Sequence, residues 1–535
     1  MGKGQRNKAI NNAVAAETET KKKPLKEWQI REKRKTRNKV IAIVLAVAIV
    51  AVAGVLIFKS YSDELRASGG DSLREVTALS SDHFSVNNAM FTYFFMNNLN
   101  TEMGTYGQIY QQYYGLDTNK SFKEQNYSDG VTWYQHFLDG AVSRVKGVLY
   151  TAEAAYAAGA IDEAAVNEKV DDSVSSLNKT VEEQNTTVDE YLAANFGKGI
   201  KEQDVRDALR LAFIASSYSE SLQDALNYSD EEIESHFNEN ASDYTFCDYI
   251  SYTFKAELEE DSATTTTTAA SDETSDSALD QATQEAYDKA KQEAEKLAGN
   301  KDEDSFRAAL TEIITKAHEN DETAKTEGEI AELVEEQVHT DYSKKETGDI
   351  AEWCFDEARA VGDTTVIDDG EGSYTAVFML RTAYRHEYVT KDVRHMLFKT
   401  SSYSSAEEAE KAAEEALAEW EKGDKTEDSF AALAKEKSED SGSAAIGGLY
   451  ENVALGTMVE PFENWIYDES RSAGDTGIVE SSYGYHVMYF VGDGEIAWKA
   501  EVTNTMVNAA MADYDKEFSD TYKVNYDSTL IAISE

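Results

Sequence analysis

WIYDESRSAGDTGI occupies Trp465 to Ile478, and WCFDEARAVGDTTV has already occupied Trp353 to Val366. The same tryptophan, acidic pair, arginine and Gly-Asp-Thr turn recur in one order. Two further pairs keep that order: GNKDEDSF (Gly299 to Phe306) returns as GDKTEDSF (Gly423 to Phe430), and DYISYTFK (Asp248 to Lys255) parallels DVRHMLFK (Asp392 to Lys399). The offsets run 144, 124 and 112 residues, so two homologous units lie in tandem and the first carries about 32 extra residues.

Within the second unit, RHMLF reads as a short strand. Ser405 opens a capping box with Glu408 ahead of a helix through Trp420. A second helix carries Phe430, Leu433 and Ala434, a third Phe462, Trp465 and Ile466, and Gly474-Asp475-Thr476 turns into a strand at Gly477 to Val479. GYHVMYFV, Gly484 to Val491, closes a small α/β domain. Many of the first unit's extra residues fall in EEDSATTTTTAASDETSDSALD, whose Thr/Ser/Asp composition without apolar period predicts a disordered insert at about 257–280.

A chain of 535 residues divides into about three domains, with ample apolar material to bury. VIAIVLAVAIVAVAGVLIF, Val40 to Phe58, is long and apolar enough to predict a transmembrane helix. The 39 residues before it hold 13 Lys/Arg and 4 Asp/Glu, which predicts a cytoplasmic N-terminus and an extracytoplasmic remainder. A cleaved signal peptide is the competing reading, through Ala51-Val52-Ala53. No cysteine lies near, which argues against a lipid-anchored start. The whole chain nets −50, which argues against nucleic acid as a partner and describes a strongly solvated surface. Cys247 and Cys354 either pair in an oxidising compartment or serve as small buried hydrophobes.

Ser60 to Ala241 reads as helical and rich in large residues: Met90, Phe91, Phe94 and Phe95, then Tyr106, Tyr110, Tyr113, Tyr114, Trp133, Tyr134 and Phe137. These either pack helices together or line a groove for unfolded chains. Ala497 to Tyr522 returns to a helical pattern that would dock on those helices. The expected fold class is therefore α+β and multidomain. It comprises a basic tail (1–39), a transmembrane helix (40–58), a helical chaperone-like domain (60–241), two α/β repeats (244–386 and 388–496) and a C-terminal helix (497–535).

RHMLF, IGGLY (Ile446 to Tyr450), GTMVEPF (Gly456 to Phe462), AGDTGIV and YGYHVM, taken in order, resemble a parvulin-type peptidyl-prolyl isomerase domain over about Asp392 to Asp493. The whole arrangement is similar to extracytoplasmic foldases of the PrsA and SurA type. The resemblance implies a site of His395 and His486 with Asp440 beside both, Ser481 as a nearby hydroxyl, and a proline pocket of Leu449, Met458 and Phe462. The sequence departs from the family pattern where Leu449 directly follows Gly448, and Tyr483 stands where smaller residues occur. After Lys399 the loop reads TSSYSS, without the basic cluster of phosphate-directed members, so a phosphorylated substrate is not expected. Aligned on the landmarks, His395 is matched by Ser251 and His486 by Tyr374, so the first copy is expected to be a degenerate parvulin-like scaffold without the site.

The residue set suits the implied reaction. Rotation about an X-Pro amide has a barrier of about 18–20 kcal/mol because the C–N bond has partial double-bond character. No covalent bond breaks, so a catalyst has only to hold the ring in an apolar pocket and favour the twisted amide over the planar one. Neutral imidazoles oriented by a carboxylate can supply that environment. The chain itself has two prolines, Pro24 and Pro461. No GxSxG, HExxH, CxxC pair or phosphate-binding glycine loop occurs, and nothing points to a metal or an organic cofactor. The expected function is a membrane-anchored peptidyl-prolyl cis-trans isomerase and chaperone acting on unfolded or partly folded exported polypeptides with X-Pro bonds. The alternative is a binding-only holdase whose parvulin folds are scaffolds.

Overall fold

The computed structural model describes residues 74–257, 273–319, 321, 325–528 and 531. They form two compact units: one takes the described residues up to Tyr228 together with those from Val389 onward, the other Ser229–Tyr388. The expected architecture is corrected at one point. Helical and α/β parts are present, but among the described residues no helix is long and apolar enough to cross a membrane. The basic tail and the 40–58 stretch lie outside the described residues. The long described helices instead interleave charged or polar side chains with their apolar ones, as EAAVNEKVDDSVSSLNKTVEE does.

In the first unit, β1 (Thr77–Ser80) and β2 (Ser85–Asn87) lead into α1 (Asn88–Tyr113). The Asn87 side chain starts that helix by accepting from the Met90 N–H. A hairpin of β3 (Asn126–Ser128) and β4 (Val131–Thr132) precedes α2 (Trp133–Ala157), which Thr132 caps. Next come α3 (Glu163–Glu183), α4 (Val188–Phe196), opened by a Thr187/Glu190 capping box, and α5 (Glu202–Ala225). Phe91, Phe95, Trp133 and Phe137 are fully buried in their common core. Tyr106, Ile109 and Tyr113 on the second half of α1, and Tyr114 just past its end, stay exposed.

The other unit holds the first repeat copy. After α6 (Asp230–Glu239) and α7 (Ala241–Tyr244) come β5 (Phe246–Lys255), α8 (Glu273–Ala298), α9 (Glu303–Ala317) and α10 (Glu327–Glu335). They are followed by β6 (Val338–Ser343), α11 (Asp349–Cys354), β7 (Thr364–Gly370) and β8 (Ser373–Tyr384). Most of the expected insert, residues 258–272, lies outside the described residues, and helix resumes at Glu273.

The second copy repeats this plan in β9 (Val389–Lys399), α12 (Ala406–Lys422), α13 (Glu427–Lys437), β10 (Leu449–Val453), α14 (Glu460–Ile466), β11 (Thr476–Ser481) and β12 (Gly484–Ile496). The sheets run β6-β5-β8-β7 and β10-β9-β12-β11, antiparallel throughout, so both copies order their strands second, first, fourth, third. Helices cover one face: α12 and α13 bury Ala409, Ala413, Trp420 and Phe430 against Met396, Phe398, Tyr485 and Val487. Finally α15 (Ala497–Thr521) runs against α2 and α5, and β13 (Asn525–Tyr526) pairs with β1, Leu79 opposite Tyr526.

The duplicated phrase folds the same way twice. Arg471 lies 4.1 Å over the Trp465 ring and Arg359 5.5 Å over Trp353. Asp468 and Asp356 each accept a backbone N–H two residues on, from Ser470 and Ala358, which closes a tight turn. Gly474 and Gly362 then donate to Phe490 and Met379 carbonyls on the last strand of each sheet. A bulge recurs too: Asn452 (φ 50°) and Asp341 (φ 53°) each send their N–H to an aspartate of the first strand, Asp392 at 2.7 Å and Asp248 at 2.8 Å.

Candidate active site

Side chains alternate across a sheet, so residues directly paired between strands share a face. His395 on β9 pairs with Met488 on β12, and His486 with Leu397. The two histidines are thus diagonal neighbours on the face that α12 and α13 leave uncovered. Their rings lie 5.3 Å apart at 23°, Nδ1 to Nδ1 at 3.1 Å, and they are 3% and 5% exposed.

The loop after α13 brings the carboxylate. It is stitched to β9 by the Leu397 N–H donating to Ser438 Oγ (3.1 Å), the Glu439 N–H to the Leu397 carbonyl (2.8 Å) and the Lys399 N–H to Glu439 (2.5 Å). Asp440 Oδ2 then stands 3.0 Å from His395 Nε2 and also accepts from Ser443 Oγ (2.6 Å) and the Tyr450 hydroxyl (2.9 Å). At the other end, Ser481 Oγ is 2.7 Å from His486 Nε2. Phe462, on α14, stands nearly perpendicular to both imidazole rings at 5.3 and 5.5 Å and is itself 2% exposed. Met458 packs on the same apolar cluster.

Charge and hydrogen bonding fix a direction along this row. Burial by itself would raise the Asp440 carboxyl, but hydrogen bonding and charge from His395, with the hydroxyls of Ser443 and Tyr450, hold it well below the usual carboxylate range. Burial, reinforced by His395, lowers His486 to about 4. An ionised Asp440 Oδ2 can only accept, so His395 Nε2 carries a proton, and with one proton on each ring a single arrangement satisfies the row. Ser481 O–H donates to His486 Nε2, His486 Nδ1–H to His395 Nδ1, and His395 Nε2–H to Asp440 Oδ2. Ser443 Oγ, 3.1 Å from His395 Nε2, shares that last proton.

The structure thus brings together His395, His486, Asp440, Ser481, Phe462 and Met458, and leaves Leu449 apart. Leu449 pairs with Arg394, the opposite face from His395, while Tyr450 pairs with Val393 and turns inward. Gly448 decides this. Its carbonyl accepts from the His395 N–H at 2.9 Å with φ +75°, and a Cβ there would stand 2.1 Å from the His395 carbonyl oxygen. Strand alternation counted from that crossing would have selected Tyr450, and a Ser three residues after Asp440 would have drawn attention to Ser443.

The first copy holds other residues. Ser251 takes the place of His395 and pairs with Val377; two residues earlier on that strand, where the second copy has His486, stands Thr375. This corrects the expected match with Tyr374, which faces the helices. The β7–β8 hairpin carries an irregularity between Asp368 and Gly370 that the regular β11–β12 pairing lacks, and it shifts the count by one. Ser251 Oγ meets His339 Nε2 at 3.0 Å, and the Thr253 and Thr375 hydroxyls meet at 2.8 Å.

Residues 395–492 match the Rotamase family, described as the PPIC-type PPIASE domain. The second copy is a domain of that family. A curated relative, "Foldase protein PrsA 1" of Listeria innocua, is 40% identical over 67 residues, 12% of this chain and 23% of the relative, so the match spans about a quarter of that protein's length. Among solved structures, peptidylprolyl isomerase PrsA from Bacillus cereus is 16% identical, covering 62% of this chain and 92% of the other at a TM-score of 0.18. A SurA-like chaperone of Campylobacter jejuni is 24% identical over 26% and 56%, at 0.16.

Proposed function

We propose that this chain is an extracytoplasmic foldase whose second repeat copy accelerates cis-trans isomerisation of X-Pro bonds in unfolded or partly folded exported polypeptides. The observation that carries the reading is the row Ser481, His486, His395, Asp440, packed against the nearly perpendicular ring of Phe462. In this reading the row is catalytic, and Met458 with Phe462 receives the proline ring. The planar amide is stabilised by conjugation that the twisted one loses, so a fixed polar row beside an apolar pocket lowers the barrier by favouring the twisted form. Neither imidazole has to remove a proton. The family membership of residues 395–492 and the foldase relative support the same reading.

The first copy is proposed to be catalytically silent, since Ser251 and Thr375 replace both imidazoles. The test follows relaxation of an unphosphorylated X-Pro peptide with the full chain and with a His395→Ala, His486→Ala double variant. The double variant is expected to lose about 100-fold or more of the acceleration. Full acceleration retained by the double variant would refute both statements. No acceleration from the folded wild-type chain would leave binding of unfolded chains, a second reading supported by the exposed Tyr106, Ile109, Tyr113 and Tyr114.

A further inference from the structure

We infer that Tyr450 is a positioning residue for this reaction: its hydroxyl holds the Asp440 carboxylate so that His395 keeps its proton on Nε2. The inference rests on the isomerase reading above, but its structural part can be tested apart from activity.

Three donors converge on the single oxygen Asp440 Oδ2: His395 Nε2, Ser443 Oγ and Tyr450 Oη. The loop backbone is already stitched to β9 at Ser438 and Glu439, which leaves the Asp440 side chain to be aimed. Ser443 lies three residues from Asp440 in the same loop, its carbonyl accepting from the Gly448 N–H at 2.8 Å, and His395 is the group to be oriented. Tyr450 reaches Asp440 from β10, whose register on β9 is set by the Gly448 crossing and by the Tyr450–Val393 pair. It therefore ties the carboxylate itself to the sheet from the side opposite His486, and its ring lies 5.3 Å from that of His395 at 34°.

The loop is shaped to admit the phenol. A Cβ on Gly442 would stand 2.8 Å from Tyr450 Oη and 3.4 Å from Asp440 Oδ2. Any larger residue there would press on the hydroxyl. Because that hydroxyl is directed at Asp440, its removal should act on the chemical step more than on substrate capture.

The test uses the full chain labelled with 15N at its eight histidines. Nitrogen shifts report the tautomer of His395, and peptide relaxation gives kcat and KM. In the wild type His395 is expected wholly as the Nε2–H form. Tyr450→Phe should add a second, Nδ1–H population, with kcat lower by about tenfold and KM changed less than about twofold. Gly442→Ala, which keeps the hydroxyl and crowds it, should move the same signals part of the way, and covers the case in which Tyr450→Phe disturbs packing. Unchanged His395 tautomers in both folded variants would overturn the inference, whatever happens to kcat. A wild type without isomerase activity would overturn the functional reading, while the nitrogen shifts would still decide whether Tyr450 orients Asp440 and His395.

Discussion

A buried imidazole held neutral makes folding sensitive to acid. The unfolded chain protonates His486 near its ordinary 6.5, whereas the folded chain resists until about 4. Between those values the unfolded state binds the extra proton, so stability falls as pH drops through that window. From pH 7 to pH 5 the His486 contribution to that loss is about 2 kcal/mol. Denaturant titrations at both pH values should find a loss smaller by about that amount in His486→Gln; equal losses in the two proteins would contradict it. Asp440 adds a second loss lower down, since a carboxyl held below its usual range stabilises the fold above about 3.8 and ceases to as pH falls further. His395 and His486 could be picked out in the sequence because each sits inside one of the ordered motifs, RHMLF and YGYHVM, whereas Asp440 lies between motifs in SEDSGS and came only from the resemblance. Tyr450 and Thr375 could not be picked out: both depend on a count of residues through a crossing or a bulge, and a slip of one turns a side chain to the other face.

Among elements, β10 depends most on one residue. Gly448→Ala would set a methyl 2.1 Å from the His395 carbonyl oxygen at a positive φ, so β10 would have to leave β9. We expect a loss of about 3 kcal/mol or more in denaturant titration, with activity falling alongside because Tyr450 moves with the strand. The first copy offers a different prediction. Cys247 on β5 and Cys354 on α11 are 0% and 1% exposed in one core cluster, and hydrogen bonding to Cys354 together with burial pushes the Cys247 thiol well up. In reduced folded protein both should resist alkylation that goes to completion in denaturant; fast labelling of either in the native state would contradict this core. Helices were the easiest elements to read. Phe430, Leu433 and Ala434 are the buried side of α13 as their spacing implies. The capping box at Ser405 forms by half: Ser405 accepts from the Glu408 N–H, but the Glu408 carboxylate takes its bond from Ser404 Oγ.

In the molecule as a whole, the unit that contains the candidate site is built from two separated lengths of chain. Trp498 and Val502 on α15 are buried, Phe518 packs against Tyr218 of α5, and β13 completes the edge of β1. Removal of residues 497–535 should therefore lower the melting temperature of the helical part by several degrees or more, since burial of each such side chain contributes roughly 1.5–3 kcal/mol; an unchanged melting curve would contradict this. The tandem repeat was readable because its landmarks kept their order, whereas the closing pair Leu79 and Tyr526 was not, since a two-residue strand carries no periodic signal. That closure also sets a schedule. Contacts between distant parts of a chain form only once the later part exists, and a loop that long closes slowly. In a polypeptide delivered from its amino end, α1 to α5 stand without their last helix and edge strand while the entire Ser229–Tyr388 unit and the second repeat emerge. The earliest of the described helices to be made are the last to be finished, so for the length of its own synthesis the chain is an incomplete protein with apolar surface to shelter.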